Sequence, residues 1–177
     1  MAYKVIASGQ RLFATRLGQI CLAVALLSAL AVGGALAIEH VGGIAPCPLC
    51  LDQRIAYYAA IPLALLAFAL LPGNVPLCRA VLALLAVGFL FNAGLGVYHS
   101  GVEWGWWPGP DTCSGAGTIA TTPGALMESL RNPRVVRCDT AALRILGLSL
   151  AGYSALTSAG LAALAGLGAA AGRNLAR

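Results

Sequence analysis

The sequence predicts an all-α protein, an integral membrane four-helix bundle with two larger loops on one side, on three observations. Of its 177 residues, 59% are hydrophobic and only 10% are charged, whereas a soluble domain carries about 25% charged residues. Four apolar stretches contain no charge: 17–38, 55–71, 80–98 and 145–171. Outside those stretches, one side carries six basic residues and no acidic one, while the other carries all six acidic residues against five basic ones. So few charges cannot cover a globular surface in water, and the mean hydropathy of +0.84 agrees.

The first stretch, 17–38, is about 33 Å long as a helix and spans a bilayer. Basic residues, an apolar run and Ala35-Leu36-Ala37 imitate a cleaved secretory signal. The run exceeds the 7–15 residues usual for such a signal, which favours an uncleaved first helix. The second stretch, 55–71, is near the lower length limit and contains Pro62, which membrane helices tolerate. The third, 80–98, has the length of one span. The fourth, 145–171, is longer than needed, so it tilts or runs past the lipid. Gly88, Asn92 and Gly96, and Gly147, Ala151, Ala155 and Ala159, recur every four positions and would let helices approach closely in lipid. The whole chain, 1–177, reads as a single membrane domain with loops at 39–54 and 99–144.

Orientation follows the positive residues. Lys4, Arg11, Arg16, Arg79, Arg173 and Arg177 share one side with no acidic residue. The other side sets Arg54, Arg131, Arg134, Arg137 and Arg144 against Glu39, Asp52, Glu103, Asp111, Glu128 and Asp139. Both termini are therefore expected in the cytoplasm and both larger loops outside. The net charge of +5 would otherwise suit nucleic acid; its distribution follows topology instead, so no nucleic-acid partner is expected. Trp104, Trp106 and Trp107 fit an outer interfacial belt and equally fit packing of the loop on the bundle.

This topology puts Cys47, Cys50, Cys113 and Cys138 outside, a pair in each loop, where disulfides persist. Cys47-Pro48-Leu49-Cys50 is a C-x-x-C at the start of the second helix. A helix N-terminus offers unpaired N–H groups and a positive dipole that stabilise a thiolate, the species that attacks disulfides. Arg54 follows Cys50 by one helical turn, on the same face. A guanidinium at the membrane boundary wants an anion; a Cys50 thiolate or a reduced quinone oxygen would serve, as would lipid phosphate or Asp52. Arg134 and Arg137 flank Cys138 and would favour its thiolate. Cys113 follows the turn-rich Pro108-Gly109-Pro110, so an exposed, mobile disulfide there would suit exchange with another protein; a structural loop would look similar. Zinc would want a second close pair, and Cys113 and Cys138 are far apart in sequence, so no metal is expected.

With these residues in view, the chain resembles the DsbB family of disulfide bond formation proteins. The resemblance rests on the four-span layout, Cys47-Pro-Leu-Cys50 followed by Arg54, Tyr98-His99 closing the third helix, and Cys113 and Cys138 before the fourth. It implies a thiol-disulfide oxidoreductase of the bacterial inner membrane, multi-pass, with periplasmic cysteines. A DsbA-like thioredoxin-fold protein would attack the Cys113–Cys138 disulfide at Cys113. Cys138 would then open a Cys47–Cys50 disulfide at Cys47. Cys50 would deliver the electrons to a membrane quinone, ubiquinone or menaquinone. Arg54 would stabilise the charge-transfer state and quinol anion, and His99, near the quinone, would assist proton supply.

Cys21 and Cys78 match no family cysteine and read as buried bystanders. His40 reads as a solvated loop residue. Glu103 and Tyr57 suit a quinone site or the interface. The segment 123–133 suits a short amphipathic helix on the membrane. No phosphate-binding glycine loop suggests a nucleotide. Two further functions stay open: a tetraspan scaffold with structural disulfides, and a quinone reductase resembling vitamin K epoxide reductases, whose C-x-x-C lies in the fourth core helix rather than opening the second.

Overall fold

The computed structural model describes residues 15–110, 113, 127 and 136–170. They form four helices, α1 (Arg16–His40), α2 (Pro48–Leu70), α3 (Val75–Glu103) and α4 (Leu150–Ala170), and a two-stranded hairpin of β1 (Arg144–Ile145) and β2 (Leu148–Ser149). All four helices are long and apolar enough to cross a membrane.

Local chemistry sets the helix starts. Thr15 caps α1, its hydroxyl accepting from Gly18 N at 3.1 Å, and Asn74 caps α3, accepting from Leu77 N at 3.0 Å. Both are favoured capping residues because a side-chain oxygen satisfies an N–H that the helix leaves open. Pro48 opens α2 at a position where its missing N–H costs nothing. The helices outrun the apolar stretches at most ends, because amphipathic turns such as 48–54 and 99–103 continue them beyond the charge-free core.

The fourth stretch departs from expectation. Residues 145–149 belong to the hairpin, and the helix starts only at Leu150. Leu146 (φ 50°) and Gly147 (φ 83°) both take positive φ, the backbone of a tight two-residue hairpin turn. Arg144 pairs in register with Ser149, so hydrophobicity alone extended the span too far.

The core fills with Leu17, Val24, Leu82, Phe89 and Leu161, each at most 2% exposed. The ridge of small residues works where α3 meets α4: a Cβ on Gly96 would lie 2.9 Å from Ala155 Cα and Cβ. Gly88 has no such neighbour within 4 Å, and Gly147 serves the turn. Asn92 Nδ2 donates to Ser158 Oγ at 2.9 Å, and Tyr57 Oη lies 2.7 Å from that same oxygen. This polar knot ties α2, α3 and α4 where lipid would offer no partner. Leu84, Leu90 and Phe91 point outward, 62–77% exposed, as a lipid-facing surface requires.

Of the two roles expected for the tryptophans, packing of the loop on the bundle is the one the contacts of Trp107 display. Trp104, Trp106 and Trp107 are exposed and contact one another edge to face, with centroids 4.7 and 5.9 Å apart. Trp107 also donates to Tyr98 O at 2.8 Å and lies on Gly101, where a Cβ would come within 2.1 Å of its ring. Of the residues that set orientation, Lys4, Arg11, Asp111, Glu128, Arg131, Arg134, Arg173 and Arg177 lie outside the described residues, as does the segment 123–133 except for exposed Met127.

Candidate functional site

The site lies where α1 ends, α2 begins and α3 ends. Cys47 is the N-cap of α2: its Sγ accepts from Cys50 N at 3.3 Å. Sulfur thus takes the place of the usual capping oxygen. Cys47 and Cys50 are free thiols, and Cys47 Sγ donates to Cys50 Sγ at 2.8 Å. That hydrogen bond and burial hold the Cys47 thiol above its ordinary range, and Cys47 and Cys50 both line the adjoining cavity.

Cys113 and Cys138 are joined by a disulfide with Cα atoms 5.1 Å apart. The expectation of an exposed bond is corrected: the two residues are 3% and 1% exposed. They pack with Cys47, Leu49 and Val102 because the chain around Cys138 folds back onto the α2–α3 end. One ligand atom each of Cys47, His99 and Cys138 lie within 4.8 Å of one another. Separation in sequence therefore did not keep the two cysteine pairs apart.

His99, 2% exposed, sits one turn before the end of α3. Its Nδ1 lies 2.8 Å from Gln53 Nε2, and its Nε2 lies 3.6 Å from Cys47 Sγ and 3.8 Å from Glu103 Oε1. Among the described residues, Gln53 Oε1 and Glu103 Oε2 are buried without a hydrogen-bond partner.

Arg54 takes a different partner from those expected. Its Nη1 donates to Glu39 Oε2 at 2.5 Å, joining α2 to the last turn of α1. Arg137 is likewise engaged: its Nε donates to Asp139 Oδ1 at 2.9 Å. That clasp holds the Asp139 carboxyl below its usual range and the Arg137 guanidinium above its own. Glu39 and Gln53 were missed as site residues. The signal for Glu39 was an acid at the end of an apolar run with a lone arginine nearby; for Gln53 it was a polar side chain one turn beyond the C-x-x-C.

These residues open onto a cavity of about 300 Å³. Cys50, Arg54, Tyr57 and Glu103 line it, with apolar walls from residues such as Leu30 and Ile38 of α1 and Leu150 of α4. Tyr57 and Glu103 thus face the cavity rather than solvent. His40 lies apart, its Nδ1 3.0 Å from Leu36 O. Cys21 and Cys78 lie at the opposite end of the bundle, both fully buried, with Sγ atoms 3.9 Å apart.

The family model for disulfide bond formation protein DsbB matches residues 17–168. The chain is 41% identical over 93 residues to disulfide bond formation protein B 1 of Pseudomonas entomophila, covering 50% of this chain and 49% of that one. It is 37% identical over 65 residues to disulfide bond formation protein B of Acinetobacter baylyi, covering 37% and 38% of the two chains. An uncharacterised protein of Rickettsia prowazekii, RP370, is 28% identical over 145 residues, covering 80% and 81%. The chain spans about half the length of the first of these relatives. No solved structure matches it. The site geometry and the family match converge on one assignment: the chain belongs to the DsbB family of disulfide bond formation proteins.

Proposed function

We propose that this chain reoxidises a DsbA-like periplasmic dithiol protein and passes the electrons to a membrane quinone. In this reading it sits in the bacterial inner membrane, with both termini cytoplasmic and Cys47, Cys50, Cys113 and Cys138 periplasmic. The carrying observation is the sulfur of Cys138 within 4.8 Å of Cys47, whose neighbour Cys50 lines an apolar cavity. That arrangement provides a relay from a loop disulfide to a lipid-soluble acceptor.

In this relay a partner thiolate attacks Cys113 Sγ, and Cys138 leaves as a thiolate. Cys138 attacks Cys47 of a Cys47–Cys50 disulfide, and Cys50 leaves as a thiolate. The partner's second thiolate then attacks the partner sulfur joined to Cys113, and the oxidised partner departs. The freed Cys113 thiolate attacks Cys138 of the Cys47–Cys138 bond, restoring Cys113–Cys138 and leaving Cys47 and Cys50 reduced. Because Cys113 is buried, the loop must open before the first attack. The cavity fits a quinone head: it reaches the about 300 Å³ typical of small-molecule sites, its walls are apolar, and Gln53 Oε1 and Glu103 Oε2 await polar partners. Bound there, a quinone supplies a two-electron, two-proton acceptor. Arg54 faces that acceptor with positive charge, Glu39 holds the guanidinium in place, and His99 donates or holds a proton between the sulfurs and the cavity.

The test follows quinone absorbance as the purified chain in detergent meets a reduced thioredoxin-like periplasmic protein, with ubiquinone and menaquinone in turn. Partner-dependent quinone loss that disappears in Cys50→Ser is expected. No loss with either quinone and several partners, with the thiols and disulfide intact, would overturn the reading and favour the scaffold.

A further inference from the structure

The distance that serves thiol exchange has a second chemical meaning. Cys47, His99 and Cys138 present two sulfurs and one imidazole nitrogen within 4.8 Å of one another, all buried. A tetrahedral zinc site places such ligand atoms about 3.5–3.8 Å apart, from Zn–S near 2.3 Å and Zn–N near 2.0 Å. His99 Nε2 and Cys47 Sγ, at 3.6 Å, already meet that spacing. In the disulfide state Cys138 has no thiolate to offer. Once its bond to Cys113 opens, it does.

We propose that the fully reduced chain binds one thiophilic divalent cation, of the zinc class, on Cys47, Cys138 and His99, and that the bound cation arrests thiol exchange. Three protein ligands leave a fourth position to water. Binding releases the protons of the two thiols and moves no electrons. An imidazole that ligates through Nε2 must carry its proton on Nδ1 and give it to an acceptor. Gln53 stands 2.8 Å from Nδ1, is 3% exposed, and holds the buried Oε1 that lacks a partner. Turning its amide supplies that acceptor. The oxidised enzyme is therefore insensitive to the cation, and an enzyme starved of its electron acceptor is captured by it.

The inference rests on the proposed function only for the turnover that opens the Cys113–Cys138 bond. Cobalt(II) is the probe, since tetrahedral thiolate coordination gives it an intense visible d–d band. It is titrated anaerobically into the full chain in detergent, phosphine-reduced and then freed of reductant. One cobalt per reduced chain is expected, displaced by zinc, with none in the Cys113–Cys138 oxidised chain. His99→Ala and Cys138→Ser should weaken binding more than about tenfold, His99→Cys should retain the band, and Gln53→Leu should weaken it about 10–100-fold. A combined Cys21→Ala, Cys78→Ala variant should bind as the unmodified chain does. Circular dichroism establishes that each variant keeps its helices. No band in the reduced chain, an equal band in the oxidised chain, or an undiminished band in helical Cys138→Ser would each overturn the cation site. Neither quinone nor partner is present, so a missing band with normal turnover removes this site alone, and a band without turnover removes the oxidase reading alone.

Discussion

Two cysteine pairs lie at opposite ends of one bundle, and their sulfurs are similarly close: 2.8 Å for Cys47 and Cys50, 3.9 Å for Cys21 and Cys78. Their surroundings differ. Cys47 caps a helix, receives an N–H, and stands beside His99, Gln53, Arg54 and a cavity. Cys21 and Cys78 sit in the first two turns of α1 and α3, walled by side chains such as Leu17, Val24 and Leu82. Proximity makes a pair; a capping position, polar neighbours and a cavity beside it make it reactive. A thiol in an apolar wall behaves as a small hydrophobe.

The sharpest way to break this contrast is to exchange the sulfurs. Cys50→Ser should lower partner-dependent quinone reduction by about three orders of magnitude or more, since it removes the sulfur through which electrons leave. Cys21→Ala with Cys78→Ala should leave the rate within about twofold. If both variants cost the same, the surroundings do not distinguish the pairs.

Arg54→Ala should cost about 10–100-fold in turnover, the value of a charge-assisted hydrogen bond of about 1.5–3 kcal/mol. Glu39→Gln should cost less, because it loosens the guanidinium without removing it. Equal losses would mean that the α1–α2 tie, rather than the positive charge, is what matters.

Gly96→Leu tests the packing that holds both ends in one bundle. With 2.9 Å between a new Cβ and Ala155, it should destabilise the α3–α4 contact by about 1–3 kcal/mol, read as a lowered midpoint in detergent unfolding. Gly88→Leu, facing open space, should change little.

The smallest effect concerns the clasp beside Cys138. Asp139 is held below its usual carboxyl range, first by its hydrogen bond to Arg137. Its contribution is thus present above the unfolded carboxyl value of about 3.9 and is lost as pH falls through the lower folded value. Acidification through that window should loosen the loop, seen as lower amide-exchange protection at residues 138–140 after correction for the intrinsic pH dependence of exchange. Asp139→Asn should show the lower protection without acidification and no further step.

The bundle was legible in the sequence because lipid leaves few options: charge-free stretches such as 17–38 and 80–98 have to become helices. Their ends were less legible. The hairpin at 144–149 depends on backbone angles at Leu146 and Gly147, and Ile145 and Leu148 are as apolar as any helical residue. Cys47 and Cys50 were readable because a C-x-x-C at a helix start is a local pattern. The Arg54–Glu39 pair and the His99–Gln53 contact are tertiary: residues 15 and 46 positions apart meet only after α1, α2 and α3 assemble. The burial of the Cys113–Cys138 bond was hidden for the same reason, since a turn-rich approach to Cys113 says nothing of what the chain lies against.

In the proposed function this burial makes the Cys113–Cys138 bond selective among reductants: a thiol that cannot displace its packing against Cys47, Leu49 and Val102 does not start the relay.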